Sequence, residues 1–170
     1  PGSFLQATRH GSKALQALIK ESVGDARRVV DLFAGCGTFS LPLAEHAEVH
    51  AVESDKPMMD ALYRGWRYAT GLKPVTIEAR DLFRRPLLPD ELQRFDAIVL
   101  DPPRAGAVDQ VAEITRAKVP TLSYVSCNPV TFARDAAVLT ESGYVLKWVQ
   151  PVDQFRWSSH IELAAHFVRA

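Results

Sequence analysis

The sequence predicts an α/β domain: a mostly parallel sheet with helices on both faces, ending in an antiparallel C-terminal hairpin. Three observations lead there. Short apolar runs alternate with helical patterns along the chain, as in strands joined by crossover helices. The last two apolar runs have no helical pattern between them, so they pair as antiparallel neighbours. The 170 residues are 47% hydrophobic and 24% charged, a globular balance with enough chain for one sizeable core.

The elements follow in order. The run RVVDLF at 28–33 reads as a buried strand, and 38–47 as a helix turning Phe39, Leu41, Leu43 and Ala44 inward. Residues 49–53 form a second strand, followed by a helix over 56–70. A short third strand at 75–79 precedes a fourth at 95–101, and a helix runs over 108–118. The fifth strand, 121–126, leads into a helix over 129–142, with Asn128 a good N-cap and Pro129 a good first helical residue. Strands at 144–151 and 161–168 complete the hairpin. In such a sheet a ligand sits beyond the carboxyl ends of the strands, where every candidate residue below also falls.

Composition narrows the function. No window approaches the roughly 18 apolar residues of a membrane span, and no charged-then-apolar leader opens the chain. The two cysteines, Cys36 and Cys127, are far apart and form no Cys-x-x-Cys or Cys/His cluster. That argues against a zinc site or a disulfide framework and fits a reducing cytoplasm. Lys plus Arg equals Asp plus Glu at 20 each, so the net charge is zero. A domain gripping nucleic acid alone would carry an excess of positive charge. The start at Pro1, not Met, points to a piece of a longer protein, so a nucleic-acid substrate would be gripped largely by a segment outside these residues.

The segment DLFAGCGTF at 31–39 joins the first strand to the first helix through Gly35 and Gly37, which let the backbone turn tightly and approach a ligand. A dinucleotide fingerprint needs a third glycine where this chain has Ser40. Glu53 ends the second strand, where a carboxylate can accept both hydroxyls of a ribose. Asp81, after the third strand, is placed to receive the exocyclic amine of adenine. That order fits S-adenosylmethionine better than NAD. The competing reading is that Glu53 and Asp81 only cap helices, with Cys36 a small residue in the turn. The fourth strand ends in Asp101-Pro-Pro-Arg104. Amino-group methyltransferases acting on adenine have a similar Asp-Pro-Pro followed by an aromatic residue that stacks on the base; Arg104 cannot stack in the same way, which tilts the reading away from amine methylation.

In VSCNPVTFARD at 125–135, Cys127 ends a strand just before a helix. A helix N-terminus favours a thiolate, which would lower the thiol pKa from about 8.5. Cys127 is then either a small core residue or a nucleophile. Carbon 5 of uracil is a poor nucleophile until a thiolate adds at carbon 6, and a base must afterwards remove the carbon-5 proton. Glu162, in His160-Ile-Glu162 at the start of the last strand, is the candidate base. His160 is either functional or a hinge and packing residue.

Together these residues resemble the bacterial RNA uracil-5-methyltransferase family, which makes 5-methyluridine in transfer and ribosomal RNA. The resemblance covers nearly the whole chain: Phe4-Leu-Gln6, DLFAGCGTFSLPLA, Glu53, DPPRAG, VSCNPVTFARD and HIE. It implies a Rossmann-like S-adenosylmethionine-dependent methyltransferase fold, with residues 1–170 as a single catalytic domain. It also implies Cys127 as nucleophile and Glu162 as proton acceptor. Gln6, Phe33, Gly35, Thr38, Glu53, Asp81 and Asp101 would then surround S-adenosylmethionine, with no metal. Thr38 stands where many members have Asn, Tyr or another polar residue, and Thr8 replaces an Asn common after Phe-x-Gln. Phe155-Arg156-Trp157 departs from the usual Phe-Pro-His. Members also carry an N-terminal RNA-binding module, often a small β-barrel, and some an iron–sulfur cluster; neither is recognised in these residues. The expectation is a monomeric cytoplasmic catalytic domain acting on uridine in RNA, ribosomal RNA before transfer RNA. Its rivals are a methyltransferase of another base or amine and a non-catalytic S-adenosylmethionine-binding RNA module. The second would need neither Cys127 nor Glu162.

Overall fold

A computed structural model describes residues 9–152 and 161–169. Seven strands form one sheet: β1 Arg28–Leu32, β2 Glu48–Glu53, β3 Val75–Ala79, β4 Ala97–Leu100, β5 Thr121–Ser126, β6 Tyr144–Val152 and β7 Glu162–Arg169. Their order is β3-β2-β1-β4-β5-β7-β6. The first five pair in parallel, and β7 runs antiparallel between β5 and β6. The described residues also form six helices, the first preceding the sheet and the rest between strands: α1 Arg9–Val23, α2 Ser40–Leu43, α3 Lys56–Tyr68, α4 Pro89–Leu92, α5 Val108–Ala117 and α6 Pro129–Glu141. The parallel sheet and closing hairpin agree with the sequence expectation.

Side chains alternate across a strand, so each one feeds two cores. Val30, Leu32, Ile98, Leu100, Leu122 and Tyr124 pack on one face with Leu92 of α4, Ile114 of α5 and Phe132 of α6. Val29, Val49, Ala97, Val99, Val125 and Ala164 pack on the other with Leu15, Ile19 and Val23 of α1. Burial on both faces is why β4 reads as an unbroken apolar run. The outer strand β6 is mostly exposed and contains Pro151, tolerable because an edge needs no donor there.

Three local features depart from the sequence reading. α1 was not anticipated, although Leu15, Ile19 and Val23 recur every four residues and are 0%, 1% and 6% exposed. The short α4 is also new; Pro89 opens it, and Leu88 N–H donates to Glu91 Oε2 at 2.8 Å. The helix expected over 38–47 shrinks to Ser40–Leu43. Pro42 has no N–H to bond the Thr38 carbonyl, and Gln16 Nε2 of α1 donates to that oxygen at 2.9 Å instead. Beyond Leu43 the chain closes a turn, His46 N–H reaching Leu43 O at 3.0 Å. No helix among the described residues is long and apolar enough to cross a membrane.

Candidate active site

Strand parity gathers the chemistry at one end of one sheet face. Asp31 shares a face with Val29, Asp101 lies two residues beyond Val99, and Cys127 lies two beyond Val125. β5 and β7 pair Val125 with Ala164 and Ser126 with Leu163. Cys127 follows the last residue of β5 and Glu162 opens β7, and the Glu162 charge acts on the Cys127 thiol. Asp101, Cys127 and Glu162 line a cavity of about 590 Å³ at the carboxyl ends of the parallel strands. Phe33, Gly35, Thr38, Glu53 and Asp81 line the same cavity. Gln6 and His160 lie outside the described residues, as does Phe155-Arg156-Trp157.

At one end of the cavity, Glu53 is held by main-chain donors. Gly35 N–H donates to its Oε2 at 3.0 Å, and the amides of Ser54 and Asp55 donate to Oε1 at 2.6 and 2.8 Å. Gly35 adopts φ +56°, which delivers its amide without strain. Gly37 has no room for a side chain: a Cβ there would strike Leu62. Glu53 does not cap α3; Asp55 does, accepting from Met58 N–H at 3.0 Å. Asp81 does cap a local turn, accepting from Phe83 N–H at 3.0 Å, while still lining the cavity. Phe33 sits at φ +62°, a costly conformation for a bulky residue. Its ring meets Phe83 at 5.3 Å between centroids, giving this end of the cavity an aromatic wall.

The other end is a cluster of carboxyl groups around a thiol. Burial holds the Asp101 carboxyl well above its ordinary value, and the charges of Glu162 and Asp31 add to that. Burial also pushes the Cys127 thiol up, with Glu162 and Asp101 in the same direction and the Arg104 cation opposing. This reverses the lowering expected from the helix N-terminus. Desolvation and two nearby carboxylates outweigh the partial charge of α6. Glu162 is 2% exposed, and Asp31 is fully buried with Ser40 Oγ donating to its Oδ2 at 2.5 Å. Asp31 Oδ1 has no hydrogen-bond partner among the described residues.

Several lining residues escaped the sequence reading. Phe83 lacked a partner until the fold brought Phe33 to it. Arg80 lines the cavity and grips Glu91 through two bonds of 2.9 and 2.7 Å and Glu78 through a third of 2.6 Å. That network fixes the start of the loop carrying Asp81 and Phe83. No local motif marks it, because its acids lie on β3 and α4.

The family model for tRNA (uracil-5-)-methyltransferase matches residues 74–169. An uncharacterized RNA methyltransferase of Mesorhizobium japonicum is 56% identical over 97% of this chain and 40% of its own. The 23S rRNA (uracil(1939)-C(5))-methyltransferase RlmD of a Shewanella species is 39% identical over 98% of this chain and 38% of its own. The chain thus spans about two fifths of these curated relatives. Among solved structures, the Pyrococcus abyssi tRNA (uracil-54, C5)-methyltransferase in complex with S-adenosyl-L-homocysteine superposes with a TM-score of 0.86 at 29% identity. It covers 99% of this chain and 41% of that one. A magnesium protoporphyrin IX methyltransferase from Synechocystis, at 16% identity and a TM-score of 0.72 over 100% of this chain and 86% of that one, shares the fold alone. The Rossmann-like methyltransferase fold expected from the sequence is therefore present, and this chain belongs to the tRNA (uracil-5-)-methyltransferase family.

Proposed function

We propose that the chain is the catalytic domain of an RNA uracil-5-methyltransferase, transferring a methyl group from S-adenosylmethionine to carbon 5 of uridine. The observation that carries this reading is that Cys127 and Glu162, from the ends of neighbouring strands, line the same cavity as Glu53. The residues fit S-adenosylmethionine. Glu53 Oε2, which accepts the Gly35 amide, keeps room for a ribose hydroxyl, Phe33 and Phe83 offer apolar rings to adenine, and Asp31, Asp101 and Glu162 suit the cationic end. When bound, the cofactor supplies an electrophilic methyl group.

The chain's own residues do the rest. Cys127 adds as thiolate to carbon 6 of uracil, forming an S–C bond and moving the ring electrons into an enolate that is nucleophilic at carbon 5. After methylation, Glu162 takes the carbon-5 proton. The electrons of that C–H bond restore the ring double bond and expel Cys127. Glu162 lies out of bulk water and lines the same cavity as the thiol, as a base acting on the same adduct requires. The preferred substrate is ribosomal RNA, a reading favoured by the higher identity to the 23S enzyme than to the transfer-RNA enzyme. We place the enzyme in the cytoplasm as a monomer whose RNA grip comes largely from the rest of the full-length protein.

The test uses full-length protein with its RNA and labelled methyl donor. Cys127→Ala should bind S-adenosylmethionine yet give neither methylated RNA nor adduct. Glu162→Gln should attack, methylate and stall, leaving a labelled protein–RNA adduct that survives a denaturing gel. Loss of a general base costs about a hundred- to ten-thousandfold in rate, so the adduct accumulates. Methylation by Cys127→Ala would return that thiol to the core. Normal turnover by Glu162→Gln would move the base elsewhere, with His160 next to be examined.

A further inference from the structure

The DPPRAG loop and the TFARD half of the α6 motif are bound to each other, and neither the cofactor pocket nor the Cys127–Glu162 pair explains why. Pro102 and Pro103 have no N–H groups, so this stretch has few amides of its own with which to anchor itself. Side chains of α6 and its cap supply the anchors. Asn128 Nδ2 donates to Arg104 O at 2.9 Å, and the single Thr131 hydroxyl proton is shared between Arg104 O and Asn128 O, each at 3.2 Å. Arg134 Nη2 donates to Ala105 O at 3.1 Å, and Ala107 N–H donates to Asp135 Oδ2 at 2.9 Å. The loop lies so close that a Cβ on Gly106, at φ +78°, would come within 2.8 Å of Asp135 Oδ2. Asp135 is 1% exposed and also accepts Tyr124 O–H at 2.6 Å and Arg134 Nε–H at 2.9 Å. One buried carboxylate therefore joins β5, α6 and the loop.

Asp101 does not need this support. It is held by the sheet, its amide donating to Leu32 O at 3.2 Å. The group the loop leaves dependent on α6 is Arg104, exposed at the cavity edge with Cys127. We propose that Asn128, Thr131, Arg134 and Asp135 form a positioning clamp, anchored by Asp135, that keeps the Arg104 cation beside Cys127. The inference rests on the reading of Cys127 as the nucleophile. Its physical content is that Arg104 opposes the two carboxylates that disfavour the thiolate.

The experiment compares Asp135→Asn, Arg104→Ala and the double variant in the full-length protein. It reads three quantities: S-adenosylmethionine affinity by calorimetry, methyl transfer to ribosomal RNA, and iodoacetamide alkylation of Cys127 by mass spectrometry with Cys36 as internal reference. Asp135→Asn should keep cofactor affinity within about twofold, lower kcat by about tenfold or more with KM little changed, and slow Cys127 alkylation at pH 8 by about threefold. Arg104→Ala should slow the alkylation to a similar extent, and the double variant no further, because both losses act through one cation. A folded Asp135→Asn with wild-type alkylation and kcat overturns the proposal, and so do additive effects in the double variant. If Asp135→Asn does not fold, Thr131→Val decides: a smaller slowing of Cys127 alone supports the clamp, and none overturns it. Failure of the underlying reading looks different. Cys127→Ala would then still methylate the RNA, while the alkylation of Cys127 in the other variants would still depend on Asp135 and Arg104.

Discussion

Replacing Asp31 by Asn should stabilise the protein at pH 8 and do far less at pH 5. The Asp31 carboxyl is raised from 3.8 to about 7, chiefly by burial, with Glu53 adding and the Ser40 hydrogen bonds opposing. An unfolded chain gives up this proton near 3.8, whereas the folded chain keeps it to about 7. Between those values the folded state binds more protons, so stability falls as pH rises, by about 1.4 kcal/mol per pH unit, and stays low above 7. The whole span is worth about 4 kcal/mol. Asn still accepts from Ser40, but a bond to a neutral acceptor is weaker by about 1 kcal/mol, leaving a gain of about 2–3 kcal/mol at pH 8. Urea unfolding followed by circular dichroism at both pH values measures it. The advantage should shrink by about 2–3 kcal/mol on going to pH 5. A gain independent of pH, or a loss at pH 8, would refute the assignment of a costly buried charge. S-adenosylmethionine, a cation, should stabilise the wild type more than the variant if Asp31 serves its charged end.

Glu53→Ala should weaken S-adenosylmethionine binding by about 1–3 kcal/mol, the range of a charged hydrogen bond; unchanged affinity in calorimetry would remove Glu53 from the pocket. Arg80→Gln should destabilise the fold by about 1–2 kcal/mol at pH 7. Because Arg80 holds Glu91 down at about 2 from 4.5, that stabilisation is present above 4.5 and is lost as pH falls toward 2. A deficit in urea midpoints that does not narrow below pH 4.5 would show that the pair is not its source. With zero net charge, this domain alone should bind RNA weakly. The full-length protein should bind much more tightly with a steeper salt dependence, and equal slopes in filter-binding titrations would contradict the division of labour.

Much of the molecule was legible in the order of its residues. Two-sided burial made β4 a continuous apolar run, and the cap Asn128-Pro129 marked the start of α6. The carboxyl ends of the strands named Glu53, Asp81, Asp101 and Cys127 as neighbours before any distance was known. These signals are local: periods of two and of about three and a half residues, glycine turns and helix caps belong to the covalent chain itself. α1 carried such a signal too, in Leu15, Ile19 and Val23.

The tertiary structure decided what depends on neighbours in space. Gln16, from another helix, satisfies the Thr38 carbonyl that Pro42, lacking an N–H, leaves free. The thiol of Cys127 lies above its ordinary range, not below it, because the fold surrounds it with Glu162, Asp101 and low-polarity packing. Arg80 found Glu91, and Asp135 found the amide of Ala107, across loops that show no pattern in sequence. Chain order determined which groups reach the active end of the sheet, since strand direction and parity are local. Their charge states and mutual anchoring depend on burial and through-space distance, and those exist only once the chain has folded.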